Sequence, residues 1–216
     1  MLKKYIDKRI ITLFMLSIFY TLFSVYVFRI TNLRIHRGMV WNLFLAIIPL
    51  VISIMVLICI DKHQKKIAAV LGGLWLLFFP NAPYMITGFI HLSTINFYTS
   101  GEFDIISWLR LVHFGLGALL GIIIGMVSLY NIHRSLLKFK DNITVAVYMM
   151  IIFLLSGYAI YVGRLLRLNS WDVLKPEMLF HELISNFDLF ALLSTLLFAF
   201  FIFFTYTLYY YFIHQE

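Results

Sequence analysis

The apolar residues of this chain fall in long blocks: Ile10–Phe28, Trp41–Ile60, Ile67 to about Ile86, Trp108–Tyr130, Ile143–Gly163 and Leu189–Ile213. About 20 apolar residues at 1.5 Å rise cross a ~30 Å hydrocarbon core, so each block has the length of a membrane span. A bilayer offers no water to satisfy N–H and C=O groups, so such blocks fold as α-helices. The expected fold is all-α: six transmembrane helices in one integral membrane domain over residues 1–216, with no soluble domain left over. Composition agrees, at 62% hydrophobic and only 12% charged residues with a mean hydropathy of +0.94, where soluble domains carry roughly a quarter charged.

Lys3, Lys4, Lys8 and Arg9 precede the first block in the manner of a secretory signal. The apolar stretch is too long for a signal core and no small-x-small site follows it, so it is read as a retained first helix. Cys59 is the sole cysteine, which excludes an internal disulfide and a thiolate metal cluster. The net charge of +7 would suggest nucleic acid in a soluble protein. Here the basic residues are scattered through short loops between spans, where they set topology, and no nucleic-acid partner is expected.

With the N-terminus inside, the cytoplasmic segments hold Lys3, Lys4, Lys8, Arg9, Lys62, Lys65, Lys66, Arg134, Lys138 and Lys140. The outer segments hold Arg29, Arg34, Arg37, Arg110, Arg164, Arg167 and Lys175. The positive-inside rule therefore favours both termini on the cytoplasmic side of the membrane. The inner set is mostly Lys and the outer set mostly Arg. Lysine suffices as a point charge that holds a loop in the cytoplasm, whereas the arginine fork suits bidentate recognition of phosphate or carboxylate. Two readings stand side by side: the outer arginines bind anions, or they pair with the outer acids Glu102, Asp104, Asp172, Glu177, Glu182 and Asp188 and snorkel to headgroups.

Gly117, Gly121 and Gly125 form a stripe on the fourth span that lets backbones approach closely. Small residues also recur four apart in the third span (Ala68 and Gly72, Ala69 and Gly73) and the fifth (Ala159 and Gly163), so spans three, four and five are expected to form the packed core. The last span, rich in Leu and Phe and ending in Tyr206, Tyr209, Tyr210 and Tyr211, is expected to face lipid. Pro49 is expected to kink the second span. Between spans five and six, Pro176 can open a helix whose residues Leu179, Phe180, Leu183, Ile184 and Phe187 share an apolar face, suited to lie on the membrane surface.

No Asp, Glu, Lys or Arg falls within 10–28, 43–60, 67–80, 111–130, 143–163 or 189–213. Ion-coupled transporters and proton pumps generally need such residues inside the membrane at about 2.5–3.5 kcal/mol each, which argues against a channel or secondary transporter. Polar groups gather instead at the outer ends of spans three, four and five. The third span runs into Phe79-Pro80-Asn81-Ala82-Pro83-Tyr84, where two prolines remove two amide donors and break or kink the helix. If an α-helix restarts there, Asn81, Tyr84, Gly88 and His91 share one face. His113 lies at similar depth in the fourth span, and a lone membrane histidine is more often a hydrogen-bonded structural residue than a ligand. The fifth span ends in Tyr161 and Gly163-Arg164-Leu165-Leu166-Arg167-Leu168-Asn169-Ser170-Trp171-Asp172. Arg164 and Arg167 share a helix face there, read equally as an anion site and as a charged helix end.

The strings FPNAPYMITGFIHL (79–92) and GRLLRLNSWD (163–172) resemble a family of multi-pass bacterial membrane proteins classed as a domain of unknown function. The resemblance covers most of the chain and falls on Pro80, Asn81, Pro83, Tyr84, Thr87, His91, Gly163, Arg164, Arg167, Asn169, Ser170, Trp171 and Asp172. Gly88 stands where the family pattern has an acidic residue, which weakens a metal or acid/base role for His91, although Asp104 could substitute. The resemblance implies the architecture and the site, not a reaction.

Two functions follow. In the first, an outward pocket of Asn81, Tyr84, His91, Arg164, Arg167, Asn169, Trp171 and Asp172, with Asp104, Arg110, His113 and Tyr161 nearby, binds an anionic lipid headgroup, a glycan-lipid phosphate or a segment of another envelope membrane protein. In the second, the protein is an outer-leaflet enzyme, a transferase or hydrolase acting on a phospholipid or polyprenyl phosphate, with His91, His113 or Asp104 moving a proton. No nucleophile motif, metal motif or P-loop appears, so no catalytic residue, metal or cofactor is assigned.

Overall fold

The computed structural model describes residues 5, 7–93, 95–99, 102–166, 177, 182, 185 and 188–214. Six helical stretches among them are long and apolar enough to cross a membrane, and the fold is the expected all-α bundle. Helix α1 runs Lys8–Thr31, α2 Ile35–Asp61 and α3 Lys65–Phe78; a single turn α4, Asn81–Tyr84, follows, then a 3₁₀ segment Met85–Leu92 that completes the third span. Helix α5 runs Ile105–Leu137, α6 Asn142–Tyr161, and α7 Leu189–Ile213. Before α5, two residue pairs form a short antiparallel ladder, Tyr98 with Phe103 and Thr99 with Glu102. The proposed interfacial helix at 176–187 lies outside the described residues except for Glu177, Glu182 and Ser185.

Aspartates begin four of these helices. Asp7, Asp104, Asp141 and Asp188 each accept a backbone N–H of the first turn, from Ile10, Ile106, Thr144 and Ala191 respectively. This satisfies one of the four amides a helix start leaves unpaired and sets a carboxylate against the positive end of the dipole. Each acid thus sits at the start of a helix long and apolar enough to cross a membrane.

Helix α5 is the most buried span and α2 the next. The glycine stripe explains the first: a Cβ on Gly117 would strike the ring of Tyr20 on α1 and Met39 on α2, and one on Gly121 would come within 2.9 Å of the Ala82 carbonyl. One on Gly125 would stand 3.0 Å from Ala82 Cβ. Helices α1, α2 and the proline-broken third span therefore pack directly onto the α5 backbone. The expected core of spans three, four and five is corrected in part: the third span packs on α5 through Phe79, Ala82 and Met85 while Gly72 and Gly73 meet nothing within 4 Å, and α2 takes the central place given to the fifth span. Helix α6 instead packs on α7 through Gly157, where a Cβ would collide with the Thr195 carbonyl and sit 2.8 Å from the Ala199 amide. The outer surface of α7 is apolar and exposed, with Leu193, Leu197, Phe200 and Phe204 facing out. Pro49 lies within a continuous α2.

Internal polar bonds tie the bundle. Trp75 Nε1 donates to Ser128 Oγ at 2.7 Å, and Asn131 Nδ2 to Ser53 Oγ at 3.1 Å. The start of α1 and the last turns of α7 lie at the same end of the bundle, where Tyr5 donates to Asp61 at 2.8 Å and Lys138 pairs with Asp61 at 2.6 Å. We call this the terminal end and the opposite one the far end.

Candidate functional site

The far-end site begins with the proline break. Pro83 has no N–H for the Phe79 carbonyl, so Ala82 N–H bonds Phe79 instead, at 3.1 Å, and withdraws from Phe78. The Asn81 side chain takes up the Phe78 carbonyl at 2.9 Å. Beyond Tyr84 the chain tightens into eight residues of 3₁₀ helix, longer than the three or four residues usual for this geometry, in which side chains three apart eclipse. The expected α-helical face over Asn81, Tyr84, Gly88 and His91 is therefore replaced. Tyr84 and Thr87, then Gly88 and His91, line up at intervals of three, while Asn81 turns back to its own helix.

On the fifth span the helix widens into a single π-turn, Val162–Leu166, a local change that recurs at functional sites. Arg164 projects from it to the third span. Its Nη1 donates to Tyr84 Oη at 3.3 Å, its Nη2 donates to the Thr87 carbonyl, and the guanidinium lies 5.6 Å from the Tyr84 ring centre. Arg164 and the proline-broken third span thus meet. Arg164, Tyr84, Thr87, Gly88 and His91, with Gly38, Met39, Trp41 and Asn42 of α2, enclose a cavity of about 150 Å³. One water needs roughly 10–15 Å³ of such space, so the cavity has room for several waters or a phosphate-sized group.

Among the described residues, the cavity is lined by a cation with no carboxylate in ion-pair contact. Arg164 is held by neutral partners, and both ion pairs among the described residues, Arg9–Asp7 and Lys138–Asp61, lie at the terminal end. The pairing of outer arginines with outer acids is not seen among those residues. Arg110 and Arg164 both act on His91 electrostatically. Asp104 accepts from Ser107 Oγ and caps α5; the Ser107 hydroxyl holds its carboxyl below the usual carboxylate range. It is thus committed to α5 rather than placed on His91, and no three metal-ligating side chains cluster among the described residues.

The remaining residues of the site read from sequence separate into three groups. Arg167, Asn169, Trp171 and Asp172 lie outside the described residues. Tyr161 is buried in a different cluster with Val162 and Ala191, its ring stacked on Tyr158 at 5.9 Å. Arg110 and His113 share one face of α5, and His113 is fully buried against His36, with their Nδ1 atoms 3.1 Å apart. His36 escaped sequence reasoning because it precedes the apolar block taken as the second span. Helix α2 begins earlier, at Ile35, and a signal was present: His36, Met39, Leu43, Ala46 and Leu50 continue one buried stripe at helical spacing. Thr87 contributes a backbone carbonyl, for which no side-chain signal exists.

Compared with known protein families, residues 41–208 match the family described as "Protein of unknown function (DUF1361)". No curated protein and no solved structure matches the chain.

Proposed function

This chain belongs to the DUF1361 family, whose function is unknown, and we propose that its far-end cavity binds the phosphate of an anionic membrane lipid. The supporting observation is that Arg164 lines a phosphate-sized cavity while engaging only neutral groups, the Tyr84 hydroxyl, the Tyr84 ring and the Thr87 carbonyl. A guanidinium has five N–H donors, and two are used, so a fork remains for a bidentate anion. Tyr84 and Thr87 hold the plane of the fork, and Arg110 adds positive potential on the same side. In this reading the cavity, at the ends of the third and fifth spans, meets lipid at headgroup depth.

The test is lipid-dependent thermal stability of the full chain in detergent micelles doped with phosphatidylglycerol or, as control, phosphatidylcholine. Specific binding at 100 times Kd stabilises by about 2.7 kcal/mol, a shift of several degrees at roughly 2–4 °C per kcal/mol. The wild type is expected to gain this shift with phosphatidylglycerol only. Arg164→Ala is expected to lose it, and Arg164→Lys to lose most of it, because an ammonium keeps the charge without the fork. Equal gains from both lipids, or an unchanged gain in Arg164→Ala, would refute the site.

A further inference from the structure

His36 and His113 are fully buried and neither lines the lipid cavity. Their Nδ1 atoms are 3.1 Å apart, and His113 Nε2 is 2.8 Å from Ser24 Oγ. An N···N hydrogen bond needs a hydrogen on one atom and a lone pair on the other, so this string has a direction. Ser24 sets it. Its Oγ donates its only hydrogen to the Tyr20 carbonyl one turn back on α1, 2.8 Å away, the back-bond common for helical serine. Ser24 Oγ is then the acceptor for His113, which must carry its hydrogen on Nε2 and leave Nδ1 bare. His36 in turn donates from Nδ1, and its neutral ring ends in a bare Nε2. That Nε2 is buried with no hydrogen-bond partner. Arg110 is the cation that acts on His36.

We infer that His36 and His113 form a proton-binding site inside the membrane, which holds one proton between two rings and receives it at His36 Nε2. A proton arriving there makes His36 an imidazolium. Its Nδ1 hydrogen can pass to His113 Nδ1, which returns His36 to neutrality as the Nε2–H tautomer and moves the charge one ring deeper. A second proton is refused, because both Nδ1 atoms would then carry hydrogen at 3.1 Å and two cations would lie in contact. The groups facing the pair are few. Helix α1 brings Ser24 and the Tyr20 ring, stacked 5.2 Å from His113. Helix α5 brings Arg110, one turn before His113, and the third span brings His91 behind the Phe114 ring. On α2, Arg37 lies over Phe28. No carboxylate among the described residues forms an ion pair with either histidine. The apolar stretches hold no Asp, Glu, Lys or Arg, but this site is built from histidine.

Nitrogen-15 spectroscopy of the full chain in micelles, with labelled histidine rings, tests the assignment. At neutral and basic pH one ring is expected as the Nδ1–H tautomer and a second as Nε2–H, joined by scalar coupling through the Nδ1–H···Nδ1 bond. On acidification the coupled rings are expected to change together and bind one proton in total. His36→Asn keeps a donor where Nδ1 stood and removes Nε2; it is expected to leave His113 as Nε2–H and abolish the shared titration. Absence of coupling between two rings, reversed tautomers, uptake of one proton by each ring independently, or no proton uptake by the coupled rings over the pH range in which the chain stays folded would overturn the inference. The coupling is read in the wild type, so the decision does not depend on the variant folding.

Discussion

Beside the Thr87 carbonyl, Tyr84 holds Arg164 through two contacts of unequal strength. The hydroxyl of Tyr84, at 3.3 Å, is beyond the usual distance for a strong hydrogen bond, whereas the ring at 5.6 Å is within cation–π range, worth about 0.5–2 kcal/mol depending on desolvation. The ring therefore outweighs the hydroxyl. Tyr84→Phe is expected to retain the phosphatidylglycerol-specific shift and Tyr84→Ala to lose most of it; equal loss in both variants would show that the hydroxyl carries the interaction. Residue chemistry was legible here in part. Tyr84, His91 and Arg164 stand in motifs that sequence reading marks out, and they meet. Asn81 stands in the same motif but is drawn to the Phe78 carbonyl, because a proline break creates an orphan acceptor that the nearest amide side chain satisfies. A buried unsatisfied carbonyl costs about 1–3 kcal/mol, more than a place in the cavity wall offers.

At the scale of elements, the number and type of helices follow from hydropathy, because a span must be long, apolar and helical whatever its neighbours are. Which helices touch is less legible, since a glycine stripe states that a backbone is accessible without naming what approaches it. Gly117, Gly121 and Gly125 are contact surfaces for α1, α2 and the third span, while Gly72 and Gly73 in an equally suggestive pattern face open space. The distinction yields a paired prediction. Gly157→Ala places a methyl against the backbone of Thr195 and Ala199, which no rotamer change can relieve, and should lower the midpoint of thermal unfolding in detergent by several degrees. Gly72→Ala should leave it unchanged or raise it slightly, since alanine is the better helix former by up to about 1 kcal/mol. The reverse order would invalidate the packing of α6 on α7. Gly121→Leu tests α5 in the same way: Met85 Sδ would have to yield from 2.6 Å and the Ala82 carbonyl, being backbone, cannot. Unchanged stability in that variant would remove α5 from the centre of the bundle.

For the whole molecule, the two ends of the bundle differ in how charge is handled. At the terminal end Asp61 receives Tyr5 and Lys138, Asp7 receives Arg9, and Arg134 lies over the Tyr130 ring, around a cavity of about 200 Å³. Such exposed pairs contribute little stability, about 0–1 kcal/mol each, but they compensate charge locally. At the far end Arg164 and Arg110 have no carboxylate in ion-pair contact among the described residues, and a phosphate supplied by lipid would provide the balance. This asymmetry acquires its meaning from orientation, which helix packing leaves undetermined and the distribution of basic residues addresses. The sequence has ten basic residues in the segments read as cytoplasmic and seven in those read as external, an excess from which the positive-inside rule leads us to propose a cytoplasmic terminal end. Reporter fusions at Glu216 and after Lys140 are therefore expected to read cytoplasmic, and one at Ser100, between the third span and α5, to read external. An external reading at Glu216 would turn the cavity toward the cytoplasm. The lipid it meets would then be drawn from the inner leaflet, and His36 Nε2 would take its proton from the cytoplasmic side, so this one measurement fixes which compartment both sites serve.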